Sequence, residues 1–98
     1  MKSRIIVDGK ELKLNRFITD LTANVVDAIA RSLKFSEGNT IQFRLRGEEL
    51  QMFVDNKEIA LNLGHASQIV GDVLKGFLKN LYGAENAKEI DFVCERSA

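Results

Sequence analysis

VDGKELKLN at residues 7–15 and VDNKEIALN at residues 54–62 share Val, Asp, Lys, Glu, Leu and Asn at equivalent positions. Each stretch contains a dipeptide, Asp-Gly in the first and Asp-Asn in the second, that suits a two-residue type I′ turn. Both central positions of such a turn need positive φ, which Gly, Asn and Asp tolerate best. Because polar and apolar residues alternate around each turn, both stretches predict a β-hairpin with one apolar face.

Weaker matches follow the two hairpins in the same order along the chain. The matched pairs are Asp27 with Asp72, Leu33-Lys34 with Leu78-Lys79, Gly38 with Gly83, and Ile41-Gln42-Phe43 with Ile90-Asp91-Phe92. The offset between partners changes only between these blocks, where loops tolerate insertions and deletions. Convergent hairpin turns would explain the match between the hairpins alone. They do not explain the later matches in the same order, so we infer an internal duplication, with repeats at residues 3–46 and 49–96.

Each repeat closes with a further strand. Residues 40–46 turn Ile41, Phe43 and Leu45 to one side and polar residues to the other, and residues 89–95 repeat the alternation. A Gly-first, type II′ turn at residues 47–48 joins the first of these strands to the second hairpin. The register that follows places every apolar residue of the two strands on one face, for example Phe43 opposite Met52.

Two amphipathic helices are predicted within residues 17–34 and 66–82. In the first, apolar residues recur at every fourth position from Phe17 to Leu33, and we expect this stripe to face the core. Glycine often ends a helix in the left-handed conformation. The glycines predicted to end these two helices are Gly38 and Gly83.

These elements predict one α+β domain over residues 1–98, built from a duplicated ββαβ unit in the order ββαβββαβ. The third strand pairs with the fourth through the turn between them, and by symmetry the sixth should pair with the first. We therefore expect a six-stranded antiparallel sheet with both helices packed on one face. The opposite face would be open to water or to a partner.

Composition narrows the classes of function. Lys plus Arg number 14 and Asp plus Glu number 14, so the formal net charge is zero. Non-specific binding to nucleic acid or anionic lipid needs an excess of positive charge, so nucleic acid is disfavoured although not excluded, and no membrane contact is expected. The chain has a single cysteine and no segment resembling a signal peptide or a membrane span, which predicts a cytoplasmic protein.

The open sheet face is the surface on which the sequence suggests a function. Alternation places Ile6 and Phe53 at equivalent repeat positions on this face, with the first half mainly basic and the second mainly acidic. A two-fold axis through the face would lay unlike charges on each other, which predicts a homodimer or a contact with another protein partner. The predicted interface residues are Ile6, Phe53, Val93, Arg44, Arg46, Glu58, Asp91 and Glu95.

Three other interpretations remain open. The face can be solvated, with cross-strand ion pairs such as Arg44 or Arg46 with Asp91 or Glu95, which are worth about 0–1 kcal/mol each. It can bind nucleic acid, with its basic residues on phosphates and Phe53 stacked on a base. An enzyme or small-ligand binder would instead need a pocket between helix and sheet.

The sequence assigns no catalytic residue, no cofactor and no metal ligand. His65 is the only histidine, and without an oriented partner it reads as a surface or capping residue. Cys94 alternates onto the inward face as a small hydrophobic residue. Asp27 and Asp72 fall on the outer sides of their helices and are expected to face solvent.

Replacing Phe53 with Glu tests the predicted sheet-face dimer. If the dimer forms through the sheet face, a carboxylate at the apolar centre of that interface should give monomers in sedimentation equilibrium, because its burial against the partner would be uncompensated. A dimer that survives this change contradicts the sheet-face interface.

Overall fold

Eight elements form in the predicted order ββαβββαβ. The computed structural model describes residues 2–35, 37–61, 64–79 and 87–96. The elements are β1 Lys2–Val7, β2 Lys10–Glu11, α1 Arg16–Ser32, β3 Thr40–Arg46, β4 Glu49–Val54, β5 Lys57–Ile59, α2 Ala66–Leu78 and β6 Glu89–Glu95.

Both hairpin turns have the conformation that the sequence predicts. Asp8 and Gly9 have φ of 49° and 83°, and Asp55 and Asn56 have φ of 51° and 68°. Positive φ at both central positions defines the type I′ turn, whose twist matches that of the strands it joins. The hairpin registers follow from these turns, with Val7 opposite Lys10 in the first.

The strands form one six-stranded antiparallel sheet in the order β2-β1-β6-β3-β4-β5. The predicted β3–β4 register is confirmed, with Phe43 opposite Met52. The predicted pairing of the sixth strand with the first is confirmed as well, and places Ile5 opposite Phe92. On its other side β6 pairs with β3, which joins the two halves at the centre of the sheet.

Equivalent hydrogen bonds fasten the two halves. The Asp55 carboxylate accepts hydrogen bonds from the backbone N–H groups of Asn39 and Thr40, at 2.9 and 3.0 Å from Oδ1. The N–H groups of Thr40 and Asn39 hold the pKa of Asp55 below its ordinary value. Asp8 Oδ1 accepts the equivalent two bonds at the start of β6, at 3.0 and 2.9 Å. In both halves, therefore, the turn aspartate fixes the start of the adjacent strand. The inferred duplication would produce this arrangement, and the common origin of the two halves stays a prediction.

The core lies on one face of the sheet, under both helices. The sheet's buried side chains there are Ile5, Val7, Ile41, Phe43, Leu45, Met52, Phe92 and Cys94. Three buried residues of α1, Ala23, Val26 and Ala30, and one of α2, Leu74, complete the cluster. Burial raises the pKa of the Cys94 thiol, which keeps it in the uncharged form expected of a buried hydrophobic residue.

The predicted role of Gly38 at the end of α1 is wrong, and Lys34 takes that position. Lys34 has φ of 74°, its N–H donates to the carbonyl of Arg31, and the N–H of Phe35 donates to the carbonyl of Ala30. This pair of bonds is a Schellman motif. The other predicted helix-ending glycine, Gly83, lies outside the described residues.

Gly38 serves the loop after the helix instead. Its φ is 107°, and a Cβ there would lie 2.7 Å from Val54 Cγ1. The glycine is therefore needed both for the backbone conformation and for the close approach of the loop to β4.

The same Gly→Ala change should have opposite effects at two positions. Gly38→Ala should lower the free energy of unfolding by about 1–3 kcal/mol, because it strains the backbone and meets Val54. Gly76→Ala should raise it by up to about 1 kcal/mol, because this helical glycine is exposed and a Cβ there meets nothing within 4 Å. Urea denaturation of the two variants measures both effects; destabilisation by Gly76→Ala, or none by Gly38→Ala, would contradict this account.

Candidate functional site

The outer face of the sheet, opposite the helices, carries a network of charged side chains centred on Asp91. Its Oδ1 accepts hydrogen bonds from Gln42 Nε2 at 2.9 Å and from Arg44 Nε at 2.8 Å. Glu89 binds Arg44 at 3.0 Å and Arg46 at 2.9 Å. The Asp91 side chain is only 12% exposed, so the centre of this face is a closed polar cluster rather than a free charged surface.

The network follows from the β3–β6 register, which places Arg44 opposite Asp91 and Arg46 opposite Glu89. The hydrogen bond to Asp91 raises the pKa of Arg44 above its ordinary value. The sequence places basic residues in one half of this face and acidic residues in the other. The structure shows these opposite charges neutralising each other within the chain.

Apolar side chains border this network. Val93 is 4% exposed, and Ile6 and Phe53 are partly buried. The Arg44 guanidinium lies over the Phe53 ring, 5.0 Å from its centroid, a cation–π arrangement that covers part of the ring.

The structure places all eight residues of the predicted interface on this outer face. Glu58 lies opposite Phe53 on the neighbouring strand, and Glu95 pairs with Arg4 at 3.6 Å. The cross-strand ion pairs expected for a solvated face are therefore present. That these residues form an interface stays a prediction.

A second polar cluster ties the end of α1 to the end of β6. Arg96 Nε donates to Asp27 Oδ1 at 2.6 Å, and its terminal nitrogens donate to the carbonyls of Phe35 and Glu37 at 2.8 and 3.0 Å. Arg31 donates to the other oxygen of Asp27 at 2.8 Å. The expectation that Asp27 faces solvent is wrong, because this carboxylate lies between two arginines and is mostly buried.

The residues considered for catalysis do not converge on one site. His65 is exposed at the N-cap position of α2, and its side chain makes no capping hydrogen bond. Asp72 is exposed on the same helix. Among the described residues, no group of three or more His, Cys, Asp or Glu side chains is placed to hold a metal ion.

Among the described residues, the large apolar side chains that are exposed lie on the helices rather than on the sheet. Phe17 and Leu21 of α1 are 69% and 37% exposed, and Ile69 and Val73 of α2 are 65% and 48% exposed. We call these four residues the helical surface. A large exposed apolar area of this kind is typical of an interaction site.

A groove between the helices connects the two parts of the helical surface. Val25 of α1 and Phe77 of α2 line this groove, whose floor includes Phe92 of the sheet. Val25 lies one turn after Leu21, and Phe77 lies one turn after Val73. On each helix, an exposed apolar residue therefore neighbours a residue that lines the groove. We call the helical surface together with this groove the apolar strip.

The sequence predicts the apolar stripe of α1 but not its exposure. A helix has 3.6 residues per turn, so residues spaced by four drift around the axis by about 40° at each step. A stripe from Phe17 to Leu33 therefore cannot face the sheet along its whole length. The structure turns Thr22, Ala23, Val26 and Ala30 inward, which leaves Phe17 on the opposite side of the helix. The small size of Ala23 and Ala30 is the signal that could have identified the side closest to the sheet.

Comparison with protein-family models, with curated proteins and with solved structures found no match for this chain. Neither helix, over its described residues, is long and apolar enough to cross a membrane.

The Asp27 cluster predicts a dependence of stability on pH. Burial alone would raise the pKa of this carboxyl, but hydrogen bonds and charges from Arg31 and Arg96 hold it below its ordinary value of 3.8. Its contribution to stability is therefore present above that ordinary value and is lost as the pH falls through the lower pKa of the folded state. Asp27→Asn should lower the free energy of unfolding by about 2 kcal/mol at pH 7 and by less at pH 3, where the carboxyl of the unfolded chain is largely protonated.

Asp72→Asn is the matched control, because Asp72 is the repeat equivalent of Asp27 and is exposed. It should change stability by less than about 0.5 kcal/mol at either pH. Chemical denaturation at the two pH values provides the measurement. An equal loss at pH 3 and pH 7 for Asp27→Asn would show that its charge does not carry the effect.

Proposed function

We propose that this domain is a protein-association module that forms a homodimer through the helical surface. The observation that carries the proposal is the exposure of Phe17, Leu21, Ile69 and Val73 on two helices that flank one apolar groove. Covering such side chains removes apolar area from water, the dominant favourable contribution in most protein association.

The exposed apolar area is a substantial part of what a dimer contact needs. From their exposed fractions, the four side chains present roughly 400 Å², within the range of about 300–600 Å² for the largest apolar patch on a monomer. Two facing copies would bury about twice this area from these side chains alone. The remainder of the 1,200–2,000 Å² or so that is typical of specific interfaces would come from the polar rim around these side chains.

The weak burial of α2 supports the same conclusion. Among its described side chains, Leu74 is the only large one that is fully buried. Ile69 and Val73 are left in water although they lie on the apolar side of an amphipathic helix. A second copy over the helices would supply packing that the single chain does not give to α2.

The sheet face is the competing interface, as the sequence suggested. Its arginines already hold carboxylates of the same chain, as in the contacts of Asp91 with Gln42 and Arg44. A dimer there would have to cover these paired charges, and their desolvation offsets much of what contact gains. The helical surface carries no such cost at its four apolar side chains.

Two matched substitutions distinguish the interfaces. Val73→Glu should weaken a dimer through the helical surface by about 100-fold or more, because the carboxylate would be buried without a partner. Phe53→Glu makes the same change in charge on the sheet face and should leave that dimer intact. Mass in solution by light scattering after gel filtration, with circular dichroism as a check on folding, gives the result.

The wild-type chain should have twice the 11.0 kDa mass of one copy, with little loss of dimer at high salt because the contact is mainly apolar. Monomers from Phe53→Glu together with dimers from Val73→Glu would assign the interface to the sheet face instead. A wild-type monomer at high micromolar concentration would contradict self-association altogether.

A further inference from the structure

The two helices run in opposite directions across the sheet. Along α1, Thr19 accepts a hydrogen bond from Ser3 of β1 and the Ala23 carbonyl accepts one from the thiol of Cys94 on β6, so the helix runs from β1 towards β3. Along α2, Gly71 lies against Leu45 of β3, and one to two turns later the helix reaches the groove above β6. This helix therefore runs from β3 towards β6.

The opposite directions separate the helical surface into two ends. Phe17 and Leu21 lie in the first half of α1, whereas in α2 Ile69 lies near the start and Val73 just past the middle. With the helices antiparallel, these pairs lie at opposite ends of the strip that passes through the groove. A two-fold dimer through this surface can therefore bring like ends together, α1 on α1, or unlike ends, α1 on α2.

Charge favours unlike ends. In the first two turns of α2, Asp72 is the sole charged side chain and it is exposed. Lys75 follows it but binds Glu48 at 3.2 Å. In α1, exposed Arg16 stands beside Phe17 and exposed Asp20 stands beside Leu21, so the charges at this end balance. A dimer of like ends would place two copies of Asp72 near each other, whereas unlike ends place each Asp72 near a helix end without net charge.

We infer that the homodimer places α1 of one copy across α2 of the other, so that Phe17 and Leu21 of each chain pack on Ile69 and Val73 of the other. The inference rests on the proposed self-association through the helical surface and adds the identity of the contacting segments. Both contacts are equivalent by the two-fold axis, so one complementary pair of substitutions alters the interface twice.

A charge-complementation experiment tests the arrangement. Leu21→Lys and Val73→Asp should each weaken the dimer by about 100-fold or more, because each buries an unpaired charge at both contacts. The double variant L21K/V73D places lysine against aspartate at both contacts and should recover at least about 10-fold of the lost affinity. The recovered dimer should weaken with salt, unlike the wild type.

Mixing the single variants provides an independent measurement if the double variant does not fold. An equimolar mixture of Leu21→Lys and Val73→Asp chains should form a heterodimer with one charge pair and one unaltered contact. A mixture of Leu21→Lys with Leu21→Asp should stay monomeric, because Leu21 does not meet its own copy. Light scattering of the mixtures measures both.

The outcomes separate the two proposals. A wild-type monomer defeats the proposed function and this inference with it. Suppose that the wild type is a dimer but neither L21K/V73D nor the mixture of the two single variants recovers dimer formation. That result overturns the α1-on-α2 arrangement alone. Dimerisation of the Leu21→Lys and Leu21→Asp mixture would establish α1 on α1 in its place.

Discussion

The position of β6 between β1 and β3 is the constraint on which the rest of the structure depends. Phe92 in this strand stands opposite Ile5 on one side and Phe43 on the other, and all three side chains are fully buried. A shift of one residue in β6 would turn its core side chains to the outer face and its acidic side chains into the core. The groove floor and the Asp91 network both take their places from this one register.

The two surfaces of the layered fold meet water in different ways. On the sheet, polar groups satisfy one another, as Asp91 does with Gln42 and Arg44. On the helices, α1 packs on the sheet through four buried residues. Among the described side chains of α2, one large side chain is fully buried. Paired charges resist being covered because their hydration is lost, whereas exposed apolar side chains favour it. The paired charges of the sheet face therefore oppose contact with a partner, whereas the exposed apolar side chains of the helices favour it.

The sequence was sufficient for the sheet and insufficient for the surfaces of the helices. Two-residue turns and strict alternation determine register locally, which is why the pairing of Phe43 with Met52 could be predicted. The end of α1 could not, because Lys34 adopts the left-handed conformation usually left to glycine, held there by the Schellman bonds. The contacts of Arg96 could not be predicted either, since its partners come from distant parts of the chain and nothing in their spacing links them. The exposure of Phe17 depends on which side of α1 packs closest to the sheet, a property of tertiary packing rather than of the apolar pattern.

The sheet ends in two very short strands, β2 with two residues and β5 with three. An edge strand presents unpaired N–H and C=O groups to which another chain can add, and the hazard grows with the length of the edge. Here each edge offers only a few such groups, and each edge strand begins with a lysine, Lys10 or Lys57. Sheets of separate molecules are therefore poorly suited to join side by side into fibrils. The proposed two-fold contact through the helices would, by contrast, be complete once two copies had met, so it would give a finite assembly rather than an open-ended polymer.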